Sequence, residues 1–409
     1  MKVCVVGSGG REHALAHVLA RTAEVIVTPG NPGIPFSTNQ SVKEIEADLF
    51  VIGPEQPLVE GLADELRKQG KLVFGPNADG AKLEGSKSWM KEILVESGVP
   101  TARHGVFTEE EAAFDFLQNL SDLYVIKTDG LAAGKGVLVT SDLAEAREAV
   151  SEYLSGKAFG TAGKRIVIEE GLTGPEISLL AVCDGQTAVP LAPAQDFKRL
   201  KDQDEGPNTG GMGAYSPVPF VEENLVERIM DIAVIPTLET LKRKGIDYRG
   251  VLYCGLMITP DGPKVLEYNA RFGDPETQVV LPRLETDLAE LLLGAASGSL
   301  NSNPVFSNDA AVAVVCASES YPENSRTGDF IDGLSQVQEM KGINIFFSGV
   351  RKTNDGFATD GGRVLTITGI GPTLEKARNL TYEAVSQISW PGMQKREDIA
   401  SNSDLYKDK

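Results

Sequence analysis

Lys264-Val-Leu-Glu-Tyr-Asn-Ala-Arg-Phe-Gly-Asp-Pro-Glu-Thr-Gln278 reads as a strand that runs out into a loop. Side chains alternate faces along a strand. Alternation places Val265, Glu267, Asn269 and Arg271 on one face, and Leu266 and Tyr268 on the other. A carboxylate, an amide oxygen and a guanidinium then point the same way. A small set of oxygen donors suits Mg²⁺, which keeps waters and shares phosphate oxygens. A guanidinium beside them suits a transferring phosphoryl group. The bland alternative is a solvated strand face.

Working outward, residues 251–258 and 264–269 read as paired strands around the turn at 260–263. Residues 222–244 read as a long helix bent at Pro236, and 284–296 as a helix with an apolar stripe. Upstream, residues 123–127 and 137–140 are two strands joined by a glycine-rich loop. A helix over 143–154 and strands over 165–170, 176–183 and 188–192 complete an α+β module. Residues 1–100 alternate short apolar strands with helices, the latter over 12–21, 58–69 and 87–97. That alternation predicts a parallel sheet. Past residue 300, strands over 310–316, 343–347 and 364–370 and a helix over 373–387 form a smaller unit. The polar tail after Lys395 reads as mobile.

Composition narrows the function. The chain has 409 residues, 41% hydrophobic and 24% charged, as expected of a globular protein with several domains. Its net charge of −19 argues against nucleic acid or an anionic membrane as partner. Any phosphate must then be held by local Lys, Arg, backbone N–H or metal. The opening residues form a strand rather than a secretory leader, and no run is long enough for a membrane span. Cys4, Cys183, Cys254 and Cys316 are far apart in apolar surroundings, which predicts buried thiols in a reducing cytoplasm. Three histidines (His13, His17, His104) disfavour a histidine-based zinc site or a serine-histidine-aspartate triad.

The glycine-rich loops point to phosphate. Gly7-Ser-Gly-Gly-Arg-Glu12 leaves a strand and opens a helix. Glu12 stands where a dinucleotide fingerprint needs its third glycine, and no acid follows the second strand, so a dehydrogenase is disfavoured. Such a turn still offers N–H groups and a positive dipole to a phosphate, and Arg11 adds charge. Gly130-Leu-Ala-Ala-Gly-Lys135-Gly136 is one residue short of a Walker loop and joins two strands. A flexible lid carrying Lys127 and Lys135 can cover nucleotide phosphates. Gln195-Asp-Phe-Lys-Arg199 and Pro207-Asn-Thr-Gly-Gly-Met-Gly213 form one polar, glycine-rich stretch with an anion-binding character. Solvated lysines and surface loops are the plain alternatives at each of these places.

Taken in order, these motifs resemble the phosphoribosylamine–glycine ligase (glycinamide ribonucleotide synthetase) family of purine biosynthesis. The resemblance runs through Val5-Val-Gly-Ser-Gly-Gly-Arg-Glu-His13, Gly53-Pro-Glu-Gln-Pro-Leu58, Leu83-Glu-Gly-Ser-Lys87, residues 127–136, 195–199 and 206–217, and ends on the signature Arg271-Phe-Gly-Asp-Pro-Glu-Thr-Gln278. It covers nearly the whole chain. Phe197 stands where many members carry His, and Ala270 replaces a frequent Cys, so neither of those groups does chemistry here. The resemblance implies three parts: a Rossmann-like parallel-sheet domain over 1–100, an ATP-grasp domain of two α+β lobes over 101–299, and a mixed C-terminal domain over 300–409. The glycine-rich lid lobe of the middle part is expected at about 121–190.

The resemblance also implies ATP-dependent joining of glycine to 5-phosphoribosylamine through glycyl phosphate. Mg²⁺ or Mn²⁺ would sit at Glu267 and Asn269, with Arg271 at the transferring phosphoryl. ATP phosphates would meet Lys127 and Lys135, adenine the stretch Glu169, Glu170 and Leu172, and ribose Glu176. Gly9, Gly10 and Arg11 would hold the phosphate of phosphoribosylamine. Asp196, Lys198, Thr209, Gly210, Gly211, Met212 and Asp274 would surround glycine or the acyl phosphate. A cytoplasmic monomer acting on small molecules is expected. The rivals are another ATP-grasp ligase taking bicarbonate or formate, and a nucleotide-binding regulatory protein without turnover.

Overall fold

The computed structural model describes residues 1–131, 136–156, 163–301 and 303–401. The first sheet is parallel throughout, with Lys2–Gly7 between Glu24–Pro29 and Leu49–Ile52, and Val73–Phe74 outside. Its strands are buried apolar runs, as a sheet covered on both faces requires. Gly7, at φ +132°, turns the chain into the helix Gly10–Leu19. The Glu12 carboxylate fills that turn and accepts from Gly9 N at 2.6 Å. A Cβ on Gly7 would lie 2.5 Å from Glu12 Cγ, and one on Gly53 2.1 Å from Glu12 Oε1. Both glycines therefore make room for a carboxylate.

A four-stranded antiparallel sheet forms the lid, in the order His104–Phe107, Ile166–Glu170, Tyr124–Thr128, Val137–Thr140. Helices Glu110–Gln118 and Leu143–Leu154 cover it and share its core of Leu117, Tyr124, Ile126, Val150 and Ile168. A lobe with its own core can move as one body. The central sheet is antiparallel: Ala188–Pro190, Glu176–Asp184, Arg249–Thr259, Gly262–Asn269. The largest sheet runs Gln195–Asp196, Gly213–Ser216, Ala310–Ala317, Arg363–Gly371, Ile343–Phe347. Two strands from the middle of the chain thus dock on strands from its end.

Four local expectations are corrected. The strand Gly262–Asn269 carries a bulge at Leu266, because Gly255 pairs with Glu267 and Leu256 with Val265. Past the bulge the faces exchange: Val265 joins Tyr268 in the core, and Leu266 lines the cleft with Glu267 and Asn269. The helix expected over 58–69 divides into Glu55–Val59 and Leu62–Lys68 at Gly61, whose φ is +88°. Ahead of Pro236 the long helix takes a π turn, Met230–Val234, which absorbs the missing N–H and the crowding of the proline ring. The tail after Lys395 is packed as far as residue 401. Arg396 is 1% exposed. It makes a two-pronged pair with Asp398 (2.7 and 2.6 Å), reaches Asp204 at 2.6 Å, and lies 4.8 Å over the Phe197 ring.

Candidate active site

The sheets and the N-terminal domain meet around a cleft of about 990 Å³. The edge strand Gly262–Asn269 runs along it and continues into residues 270–278. Glu267 lies where four cations converge. Burial alone would raise its pKa, but Lys198, Lys127, Lys87 and Arg271 hold it below the usual carboxylate range. Asn269 lies beside it along the cleft. These are hard oxygen donors of the kind a divalent ion takes. Among the described residues, no three His, Cys, Asp or Glu are grouped to hold a metal.

Arg271 is clamped by two carboxylates, Glu84 at 2.8 Å and Glu55 at 3.2 Å. Burial alone would ease its proton off, but those two carboxylates keep it firmly protonated. Glu55 also faces Arg11 Nη1 at 3.9 Å, so it bridges two guanidiniums. Glu84 accepts from Ala270 N at 2.8 Å and fixes the start of the loop. Burial raises the Glu84 pKa against the pull of Arg271.

At the lid end, Lys127 Nζ lies 2.8 Å from Glu169 Oε1 and 3.4 Å from Leu266 O. Glu169 is almost fully buried and pairs with Lys91, yet it borders the cleft together with Glu170 and Leu172. Lys87 donates to Gly130 O at 2.8 Å and ties the lid loop to the helix Lys87–Glu96. Lys135 lies outside the described residues. Glu176 pairs with Lys198 at 2.6 Å, and Lys198 lies 3.7 Å from Asp196. Burial outweighs Lys198 at Asp196 and lifts its carboxyl well above the usual range.

At the far end, Arg11 donates Nε to Glu12 at 2.5 Å and Nη1 to Phe272 O at 3.2 Å. Its Nη2 has no hydrogen-bond partner among the described residues. Gly9 and Gly10 sit behind it. The Gly9 N–H is taken by Glu12, and Gly10 is packed against Ser348 and Gln278. Asp274 accepts from Gln278 Nε2 at 2.7 Å and pairs with Arg363 at 3.2 Å. Arg363 also donates to Gly210 O at 2.5 Å and Asp274 O at 2.9 Å. Thr209 and Gly210 line the cleft. Met212 is fully buried against Leu200 and Ala317, where it supports the loop from below. Gly211, at φ +109°, packs on Pro275.

Sequence reading assigned no role to Glu55, Glu84, Lys87, Glu276, Tyr253 and Arg363, all of which line the cleft, although the first four stand in the motifs quoted above. Glu276 accepts from Tyr253 at 2.8 Å and Ser178 at 3.3 Å. One signal was available: Lys87 and Lys91 are four residues apart and so share a helix face. Arg363 gave none, since its partners lie 89 and 153 positions away.

The chain matches family models along most of its length. Residues 1–84 match the N domain of phosphoribosylglycinamide synthetase, residues 85–277 its ATP-grasp (A) domain and residues 311–402 its C domain. The phosphoribosylamine–glycine ligase of Streptomyces coelicolor is 46% identical, over 98% of this chain and 99% of its own length. The crystal structure of phosphoribosylamine–glycine ligase from Thermotoga maritima superposes with a TM-score of 0.86 at 35% identity, covering 98% of this chain and all of that one, 100%. Biotin carboxylase from Campylobacter jejuni shares the fold, with a TM-score of 0.70 at 13% identity over 100% of this chain and 94% of its own.

Proposed function

This chain belongs to the phosphoribosylglycinamide synthetase family, and from that premise we propose how its cleft performs the family's reaction. It is an ATP-dependent ligase that joins glycine to 5-phosphoribosylamine, giving glycinamide ribonucleotide, ADP and phosphate in purine biosynthesis. A free carboxylate is a poor electrophile. Transfer of the γ-phosphoryl of ATP to glycine gives glycyl phosphate, whose carbonyl the amine of phosphoribosylamine attacks as phosphate leaves. The protein's part is positioning and charge stabilisation.

The observation that carries the residue assignment is that Lys198, Lys127, Lys87 and Arg271 line one cleft with Glu267, whose carboxyl they hold below the usual range. That gathering of cations suits a triphosphate. We assign Lys127 and Lys87 to the ATP phosphates, the backbone of residues 169–172 to adenine and Glu176 to ribose. The fold implies ATP with a divalent ion; Mg²⁺ at Glu267 and Asn269 is our assignment. When bound, that ion neutralises charge on the phosphates. Arg271, held by Glu55 and Glu84, faces the transferring phosphoryl. Asp196, Lys198 and the 209–211 turn surround glycine. Arg11, with Gly9 and Gly10 behind it, meets the phosphate of phosphoribosylamine, and Asp274 and Arg363 close that end.

The division at residues 100 and 299 is our own; the lid's separate core runs from Phe107 to Ile168, so the lobe begins earlier than residue 121 and ends before the central-sheet strand Glu176–Asp184. No described helix is long and apolar enough to cross a membrane. We place the enzyme in the cytoplasm as a monomer, a reading in keeping with four unpaired, buried thiols. The test is ADP release from Mg²⁺-ATP with glycine and freshly made phosphoribosylamine, separately and together. ADP only with both, in step with glycinamide ribonucleotide, is expected. Turnover with bicarbonate or formate instead would overturn the substrate assignment.

A further inference from the structure

Lys91 shares a helix face with Lys87, but its side chain is 1% exposed and lines no part of the cleft. Its ammonium donates to Glu169 Oε2 at 2.9 Å and to Thr101 Oγ1 at 2.8 Å. The other oxygen of Glu169 faces Lys127 Nζ at 2.8 Å. One buried carboxylate therefore serves two ammonium groups. Glu169 and Lys127 belong to the lid sheet, and Lys91 to the helix Lys87–Glu96, which packs on the central sheet.

The same junction reaches the strand that carries Glu267 and Asn269. Thr101 Oγ1 donates to Val265 O at 2.6 Å, and Lys127 Nζ approaches Leu266 O at 3.4 Å. An unbroken strand aims successive carbonyls to opposite sides. The bulge at Leu266 lets both serve this junction. Lid, helix and edge strand are thus joined through one run of contacts: Val265 O, Thr101, Lys91, Glu169, Lys127, Leu266 O.

The electrostatics explain why two lysines are needed. Glu169 with Lys127 alone would be a closed pair, with the ammonium drawn toward the carboxylate and its charge cancelled. With Lys91 on the second oxygen, the buried cluster carries a net positive charge, and Lys127 can turn to a phosphate without leaving Glu169 unpaired. An unpaired buried carboxylate would be costly. We propose that Lys91 is a positioning residue that acts through Glu169 to keep Lys127 available to the nucleotide phosphates. This rests on the assignment of Lys127 to ATP.

The test measures MgADP binding by titration calorimetry and the KM values for ATP, glycine and phosphoribosylamine. The variants are Lys91→Met, Lys91→Met with Glu169→Gln, and Lys127→Met. Lys91→Met is expected to weaken MgADP and raise the KM for ATP about tenfold, the scale of one charged hydrogen bond. The other two KM values should stay within about twofold. Adding Glu169→Gln removes the charge that traps Lys127 and should restore most of the MgADP affinity. A purely structural Lys91 would lower stability without this ATP-specific rise and rescue. Unchanged MgADP affinity in Lys91→Met, or a loss that Glu169→Gln does not relieve, overturns the proposal. If Lys127→Met also binds MgADP normally, the assignment of Lys127 to ATP falls first; if only Lys127→Met is impaired, the role of Lys91 alone falls. Should Lys91→Met fail to fold, Thr101→Val removes the other anchor at nearly constant volume. A smaller ATP-specific weakening is then expected, and unchanged affinity overturns the proposal.

Discussion

The two ends of the cleft hold their cations by different means. At the lid end the cations are lysines, and Lys127 is shared between the Glu169 carboxylate and one distant carbonyl. At the far end they are arginines clamped to the backbone: Arg11 on Phe272 O, Arg363 on Gly210 O and Asp274 O. An ammonium is a compact charge on a flexible stem, whereas a guanidinium is a rigid fork. The lid end can therefore re-pair its charges when a nucleotide enters, and it sits on a lobe with its own core. The far end is fixed in advance. The difference matches the tasks assigned to the two ends: ATP arrives and ADP leaves through a moving lid, while the phosphoribosyl group must be held still for its amine to reach the acyl carbon.

The largest expected effect lies where the two ends meet. Glu267→Gln keeps the shape of the side chain but removes the charge on which four cations converge. Its kcat should fall by about two to three decades with a raised Mg²⁺ requirement; a wild-type Mg²⁺ titration would remove Glu267 from the metal site. At the far end, Arg11→Ala should raise the KM for phosphoribosylamine about tenfold, more than that for ATP. Equal rises would erase the distinction between the ends.

A pH experiment probes how rigidly the far end is docked. His13 Nδ1 accepts from Phe347 N at 2.9 Å, and burial pulls its pKa from 6.5 down to about 3. Between those values the unfolded chain binds the extra proton. Stability from this group is therefore complete above pH 6.5 and is lost as pH falls toward 3. The loss should reach about 2 kcal/mol at pH 5. Thermal denaturation should show a shallower acid slope in His13→Gln, whose amide oxygen can still accept from Phe347; an unchanged slope would assign the acid sensitivity to other groups. The smallest effect is expected from Gly10→Ala. The new Cβ would lie 2.8 Å from Ser348 Oγ and 2.9 Å from Gln278 Nε2, the amide that holds Asp274. A loss of about 1 kcal/mol in stability should accompany a KM rise confined to phosphoribosylamine; a rise in the KM for ATP would show that the clash spreads across the cleft.

The sequence made the far end's glycine turn and the signature strand readable, because both are local patterns. Gly7-Ser-Gly-Gly-Arg-Glu12 follows a strand and opens a helix as expected. Glu12 read as a missing glycine; in space it is the carboxylate that fills the turn. Glu267 and Asn269 were legible from alternation, but the bulge was not, so Val265 and Leu266 exchanged faces. Composition misled at the tail, where Arg396 is buried because Asp204 and Asp398 satisfy its charge. Glu84, Glu276 and Arg363 have meaning only through partners brought close by the fold, and no spacing rule reaches across strands that pair between the middle and the end of the chain.

The most direct test is a crossed pair of KM measurements. Lys127→Met and Arg363→Ala are each assayed for ATP and for phosphoribosylamine at saturating glycine. If the ends are built for separate tasks, Lys127→Met raises only the KM for ATP and Arg363→Ala only that for phosphoribosylamine. Both constants rising together in either variant would contradict the division of the cleft.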